Sequence, residues 1–176
     1  MRAVVVYESM FGNTHQVAER IGDGLRSRFE VVVEPVGAVT EEQLHRADLL
    51  VVGAPTHGHG LSSDTSRRAA RQTASSHDDL ELEPEPASGG AGLGSWLDRL
   101  PEHPPGRAAA FDTRVSGPAL LTGRASRGIA RRLETHGYGL VAEPESFLVD
   151  RHNHLIDGET DRATAWGLVL AASAGS

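Results

Sequence analysis

The sequence predicts an α/β fold in which five parallel strands form one sheet with helices on both of its faces. Two runs, 3–7 and 49–52, consist of apolar and mostly branched residues, as is typical of strands that are covered on both faces. A helical pattern follows the first run at once, and strand-like and helix-like segments then alternate along the chain. This alternation is typical of a three-layer, doubly wound parallel sheet.

The first helix is predicted from its apolar spacing. Val17, Ile21 and Leu25 are separated by four residues each and share one face, while charged side chains occupy the other. The strands are predicted at 3–7, 29–33, 48–53, 107–111 and within 138–149. Further helices are predicted at 41–47, 63–73, 95–100, around 127–133 and after 157.

Three residues predict boundaries near the end of the chain. Pro144 interrupts the fifth strand, and Gly137 ends the helix before that strand as a C-cap. Asp157 is predicted as the N-cap of the last helix. The residues of this helix that are predicted to face the core are Ala163, Trp166 and Leu170.

Composition and charge limit the classes of function. The chain has 17 Lys and Arg residues against 24 Asp and Glu, a formal net charge of -7, which argues against sequence-independent binding to nucleic acid. There is no cysteine, so disulfides, thiol nucleophiles and thiolate metal ligands are excluded, and redox chemistry requires a bound cofactor. No stretch approaches the roughly 20 apolar residues of a membrane span. Because the N-terminus runs directly into a strand, we expect a cytoplasmic protein.

Residues 75–94 interrupt the alternation of strands and helices. This stretch is acidic and rich in proline and glycine, so its ordering entropy is hard to offset by burial of apolar surface. We predict a mobile surface excursion within a single domain that spans residues 1–176.

Three predicted loops are placed where parallel sheets bind ligands. Ligands bind at the carboxyl ends of the strands, near the point where the strand order reverses. The loops 8–14, 54–62 and 112–123 follow the first, third and fourth strands, and all are rich in small or polar residues. We therefore expect these loops to converge on one edge of the sheet.

The first of these loops has the residue types of an anion site. Ser9, Asn13 and Thr14 offer side-chain donors, and Gly12 lets the backbone approach a ligand closely. The loop also opens a helix, whose free N–H groups attract an anion. It is too short for a Walker loop, has no lysine and lacks the G-x-G-x-x-G pattern of a dinucleotide site. A single monoester phosphate fits these features, and so does a plain strand-to-helix turn that Asn13 caps.

The segment 4–14, Val-Val-Val-Tyr-Glu-Ser-Met-Phe-Gly-Asn-Thr, resembles the phosphate loop of the flavodoxin family. It is most similar to the variant with Met and an aromatic residue before Gly, as in the flavodoxin modules of flavodiiron proteins. The segment 53–58, Gly-Ala-Pro-Thr-His-Gly, resembles the second flavin loop of the family. The resemblance implies a flavodoxin-like sheet with strand order 2-1-3-4-5, FMN as the cofactor and one-electron transfer with protein partners.

The resemblance also implies which residues hold the cofactor. Those expected at the phosphate are Ser9, Met10, Phe11, Gly12, Asn13 and Thr14. Those expected around the ring are Pro55, Thr56, His57, Gly58, Thr113, Arg114, Val115, Ser116 and Gly117. At Gly58 a flavodoxin reorients its peptide to meet the flavin N5, which glycine allows without steric cost. No catalytic acid or base is predicted, because electron transfer requires none.

The second and third loops depart from the family pattern. Flavodoxins usually stack an aromatic side chain on the flavin ring, but the second loop here has only His57 and His59, and the third has no aromatic residue. Since such stacking is worth about 1 kcal/mol, we expect weaker binding than in the carriers of the family. Arg114 near the ring would favour the reduced, anionic flavin and raise its potential. A solvated loop charge is the alternative interpretation of Arg114.

Two other functions are compatible with the sequence. One is an FMN-dependent oxidoreductase that acts on a quinone or similar small acceptor, and the other is a flavin-free protein of this fold that acts by binding a partner. No metal site is predicted at His57 and His59, because no third ligand has suitable spacing. We expect His152 and His154 to be exposed, and the arginines of 67–71 and 127–132 to lie on helix surfaces.

Overall fold

The computed structural model describes residues 1–56, 92–100, 106–118 and 122–175. The strands in these ranges are β1 (Arg2–Tyr7), β2 (Glu30–Pro35), β3 (Leu49–Pro55), β4 (Arg107–Val115), β5 (Gly139–Leu140) and β6 (Glu145–Val149). The helices are α1 (Asn13–Leu25), α2 (Glu41–His45), α3 (Leu93–Leu97), α4 (Ala125–Thr135) and α5 (Glu159–Ala174). None of these helices is long and apolar enough to cross a lipid bilayer.

The strands form one parallel sheet in the order β2-β1-β3-β4, with β5 and β6 both beside β4. The predicted order 2-1-3-4-5 is therefore confirmed, with a fifth strand in two pieces. β5 pairs with residues 107–108 of β4, and β6 pairs with residues 111–115. The interruption predicted near Pro144 falls between these pieces. The strand order reverses between β1 and β3, and ligands of open parallel sheets bind at the carboxyl ends of the strands beside such a point.

Two apolar layers attach the helices to opposite faces of the sheet. α1 and α5 cover one face, where Phe111, Phe147 and Trp166 meet edge to face with ring centroids 6.1–6.4 Å apart. α2, α3 and α4 cover the other face, where their leucines and Ile129 pack on Val4 and Val52. Both faces of β1 and β3 are thus buried, as their apolar sequences predict.

The helices α1 and α5 cross in direct backbone contact. A Cβ atom added to Gly24 would lie 2.3 Å from the carbonyl oxygen of Thr164, and one added to Gly167 would lie 2.3 Å from that of Ile21. Real Cβ atoms do not approach other heavy atoms so closely. The two glycines therefore set the distance between the helices at their crossing.

Element boundaries differ from the predictions by one or two residues at β2, β3 and α2, and the differences at β4, α5 and α3 have the clearest physical reasons. β4 continues through Val115 instead of ending at Phe111, because Asp112 and the residue after it are buried and pair with strands on both sides. α5 begins after Gly158, which has φ 88, so the prediction of Asp157 as its N-cap is wrong. α3 begins at Leu93, two residues before the predicted helix, and Leu93 is fully buried.

The predicted excursion at 75–94 falls almost entirely outside the described residues. Residues 92–94 are described, and they form the N-cap and the first two residues of α3, while the mobility of the excursion stays a prediction. The helix predicted at 63–73 also lies outside the described residues. Gly137 has φ 87 directly after α4 and its cap residue, which confirms the predicted glycine C-cap.

Candidate functional site

Three connecting segments lie side by side at the carboxyl edge of the sheet. They follow β1, β3 and β4, and hydrogen bonds continue the strand pairing into them. The N–H of Glu8 donates to the carbonyl of Gly53 at 2.9 Å, and the N–H of Thr56 donates to that of Thr113 at 2.8 Å. These bonds bring the starts of the three predicted loops together.

The segment after β1 forms a tight turn that opens α1. The hydroxyl oxygen of Ser9 accepts a hydrogen bond from the N–H of Gly12 at 3.1 Å. Gly12 is the N-cap of α1 and has φ 88, a backbone conformation that glycine adopts without steric cost. Asn13 is the first residue of the helix, so a turn capped by Asn13 is not what the structure contains.

Two side chains in the first turn of α1 are bonded to distant parts of the chain. The Nδ2 of Asn13 donates to the carbonyl of Asn153 at 2.6 Å. The Oγ1 of Thr14 lies 2.7 Å from the Oγ1 of Thr113, and both threonines are buried. The first turn of α1 is therefore fixed against β4 and against the turn between β6 and α5.

The second loop is anchored to the start of α4. Pro55 is the last residue of β3, and the Oγ1 of Thr56 accepts a hydrogen bond from the N–H of Ala125 at 2.9 Å. His57 and Gly58, the other ring residues predicted in this loop, lie outside the described residues.

Arg114 holds the third loop together. Its Nη1 donates to the carbonyl of Gly117 at 2.9 Å and to the Oγ1 of Thr122 at 3.0 Å. Val115, Ser116 and Gly117 are exposed at the edge of the sheet. The guanidinium group is thus hydrogen-bonded within the loop that is predicted to lie beside the flavin ring. Its predicted effect on the reduction potential of a flavin stays a prediction.

A family model described as Flavodoxin matches residues 5–98, more than half of the chain. The chain belongs to the flavodoxin family. The matched range contains β1, the turn that opens α1 and β3, and FMN is the cofactor that proteins of this family bind. Among curated protein sequences, none matches the chain.

Solved flavodoxin structures share the fold. A flavodoxin from the domain Archaea has a TM-score of 0.66 at 20% identity, with 100% of both chains covered. Flavodoxin 1 from Bacillus cereus has a TM-score of 0.67 at 18% identity, with 98% of both chains covered. Rubredoxin oxygen:oxidoreductase from Desulfovibrio gigas has a TM-score of 0.62 at 16% identity, covering 99% of this chain and 36% of the larger protein. The predicted likeness of the phosphate loop to the flavodiiron variant stays a prediction.

The N-terminus of α1 in this flavodoxin fits the phosphate group of FMN. Acidic side chains are favoured in the first turn of a helix, but α1 has none there. Among the described residues, no atom lies within 4 Å of a Cβ added to the N-cap Gly12, so these residues leave the space beside the turn open. Since the first N–H groups of a helix have no acceptor within it, this positive end beside open space suits a dianionic phosphate.

Two buried carboxylates, which were not among the predicted cofactor-binding residues, lie next to the flavodoxin loops. Glu8 accepts a hydrogen bond from the N–H of Leu93 at 2.6 Å, and Asp112 accepts one from the N–H of Ser126 at 2.7 Å. The Oδ1 of Asp112 and the Oγ of Ser126 have no hydrogen-bond partner within the described ranges. Each of these acids directly follows the apolar run of a strand, and this position in the sequence could have indicated that they lie at the edge of the sheet. They fasten the starts of α3 and α4 to the edge of the sheet.

The turn between β6 and α5 adds a fourth segment that the sequence analysis did not place at the site. Asp150 accepts hydrogen bonds from the N–H groups of His152 and His154 at 2.8 and 2.9 Å. These bonds, the one from His154 first, hold the pKa of Asp150 below its ordinary value. Asn153 at the tip has φ 64, a conformation that asparagine tolerates better than most residues, and its carbonyl accepts from Asn13. His152 and His154 are exposed, as predicted.

Proposed function

We propose that this protein binds FMN at the carboxyl edge of its sheet and carries electrons between protein partners. The observation that carries the proposal is the N-terminus of α1, which has a glycine cap and no acid in its first turn. The bonds of Asn13 and Thr14 to distant segments support the same role, because they hold this helix end in place before a ligand arrives. Membership of the flavodoxin family supports FMN as the ligand.

In the proposed site the first loop holds the phosphate and the other two loops hold the ring. N–H groups at the start of α1 donate to the phosphate, together with the hydroxyl groups of Ser9 and Thr14. The residues proposed at the phosphate are Ser9, Met10, Phe11, Gly12, Asn13 and Thr14. The residues proposed around the ring are Pro55, Thr56, His57, Gly58, Arg114, Val115, Ser116 and Gly117, with Thr113 at their boundary.

When bound, FMN supplies one-electron transfer, and the chain supplies binding and orientation. The described residues of the second and third loops include no aromatic side chain that could stack on the ring. The phosphate therefore contributes a larger share of the binding free energy than it does where a ring is stacked on tryptophan or tyrosine.

A second function is favoured by the exposed third loop. Val115, Ser116 and Gly117 offer no aromatic side chain to cover a ring, which leaves its face open to a small acceptor such as a quinone. The alternative proposal is therefore an FMN-dependent oxidoreductase that reduces such an acceptor.

An absorbance spectrum taken after incubation with FMN and desalting tests the proposal. We expect the protein to retain flavin absorbance close to one FMN per chain. A colourless protein would contradict the proposal and favour a flavin-free interaction protein. For the FMN-loaded protein, turnover of NAD(P)H with a quinone identifies the oxidoreductase, and its absence favours the carrier.

A further inference from the structure

Thr113 connects two of the three loops at the site. Its Oγ1 lies 2.7 Å from that of Thr14 in the first turn of α1, and both residues are buried. Its carbonyl accepts the N–H of Thr56 at the start of the second loop, at 2.8 Å. Thr113 itself belongs to β4 and pairs there with Pro55 and Phe147. One residue of the central sheet therefore sets the positions of both the first and the second loop.

The side chain of Thr113 faces α1 and not the α4 side of the sheet. Successive side chains of a strand point to opposite faces. Phe111 packs in the layer beneath α1 and α5, and Thr113 shares that face of β4. Asp112 lies on the opposite face, where it accepts the N–H of Ser126 in α4. The hydroxyl group of Thr113 is thus directed to the turn at which the phosphate is proposed to bind.

The pair of hydroxyl groups can direct one proton toward the phosphate. Each hydroxyl has one proton, so one threonine donates to the other and keeps its oxygen as an acceptor. When Thr113 donates to Thr14, the proton of Thr14 is available for the phosphate. The two bonds then run in the same direction and polarise each other, and the charged acceptor strengthens the second.

We propose that Thr113 is a positioning residue, which orients the hydroxyl group of Thr14 toward the FMN phosphate and does not contact the flavin ring. The proposal rests on the FMN site of the proposed function. It assigns Thr113 a different role from the ring contact that the family resemblance implies. Because the hydroxyl acts through Thr14, its loss affects ligands that carry the phosphate and leaves ring binding unchanged.

Flavin titrations of three variants test this role. Thr113→Val keeps the shape of the side chain and removes the hydroxyl, and we expect it to raise the Kd of FMN about tenfold. Thr113→Ser restores the hydroxyl and should return the Kd of FMN to within about twofold of the wild type. The Kd of riboflavin, which lacks the phosphate, should be the same for all of these proteins. Thr135→Val is the control, since its exposed hydroxyl bonds to Arg131 in α4.

A double-mutant cycle supplies a second readout. In Thr14→Val the receiving hydroxyl is absent, so adding Thr113→Val should weaken FMN binding no further. Additive losses would overturn the proposal, and so would equal weakening of FMN and riboflavin by Thr113→Val, which indicates a ring contact. If the wild type does not bind FMN, the proposed function itself is refuted. The titration of the wild type shows this before any variant is compared, so the two kinds of failure can be told apart.

Discussion

At the scale of single residues, Tyr138 shows how burial changes the chemistry of a side chain. Tyr138 packs in the layer beneath α4 and is 7% exposed, and burial raises its pKa to about 12. In an unfolded chain the pKa of tyrosine is near 10, so the folded state favours the neutral phenol. The resulting stability is complete below pH 10 and is lost as the pH rises through about 12.

Tyr138→Phe should therefore remove part of the alkaline loss of stability. The chain has no lysine or cysteine, and arginine stays charged, so tyrosine is the side chain that titrates in this range. Between pH 10 and 12 the free energy of unfolding should fall by about 1–2 kcal/mol more in the wild type than in the variant. Urea unfolding at a series of pH values measures the free energy of unfolding of the wild type and of the variant. Tyr7 is present in both proteins, so its titration does not contribute to the difference between them. Equal losses would show that Tyr138 titrates near pH 10.

At the scale of elements, two glycines determine how closely α1 and α5 pack at their crossing. The crossing places Gly24 and Gly167 in backbone contact, without room for a Cβ on either. A side chain at either position would push the two helices apart at their crossing.

Gly24→Ala should lower the free energy of unfolding by about 2–3 kcal/mol, because overpacking against backbone outweighs the better helix propensity of alanine. Gly37→Ala is the matched control, since an added Cβ there has no atom of the described part of the chain within 4 Å. We expect the control to change stability by less than about 0.5 kcal/mol. A Gly24→Ala variant as stable as the Gly37→Ala protein would mean that the two helices do not pack at this distance.

The elements that the sequence predicts well are those with a local apolar pattern. β1 and β3 have continuous branched runs, and α1 has its apolar residues four apart. The sequence does not predict the end of β4, because Asp112 and Thr113 are polar. They are buried in the strand because their side chains form hydrogen bonds to residues far away in the sequence. The start of α5 was misplaced because a local capping preference favoured Asp157, whereas the chain turns through the positive φ of Gly158.

In the candidate site, too, the sequence predicts the features that depend on neighbouring residues and misses those that depend on long-range contacts. The turn from Ser9 to Thr14 could be predicted, because a glycine and small hydrogen-bond donors directly before a helix form a short pattern that indicates an anion site. The bonds from Thr14 to Thr113 and from Asn13 to Asn153 join residues 99 and 140 positions apart. Such contacts depend on the packing of whole elements, so no local pattern indicates them.

At the scale of the whole molecule, the parallel sheet gathers four distant segments at one edge. They follow β1, β3, β4 and β6, and they are joined by backbone and side-chain hydrogen bonds. The chain has a net charge of -7, yet the first turn of α1 holds no acid. The first turns of α3 and α4 also hold no acid, but Glu8 and Asp112 accept N–H groups at the starts of those two helices, so the N-terminus of α1 is the one proposed to bind a phosphate.

Titrations with FMN, riboflavin and FAD in the same buffer test the central claim, that the N-terminus of α1 binds a single phosphate. Quenching of flavin fluorescence gives the three Kd values. FMN should bind with a submicromolar Kd, in keeping with its retention on desalting, and riboflavin should bind at least about tenfold more weakly, because it lacks the charged group that accepts the hydrogen bonds. FAD should also bind more weakly than FMN, since its ribityl phosphate is joined through a phosphoanhydride to AMP and is therefore no longer a dianionic monoester. Riboflavin binding as tightly as FMN would contradict the account.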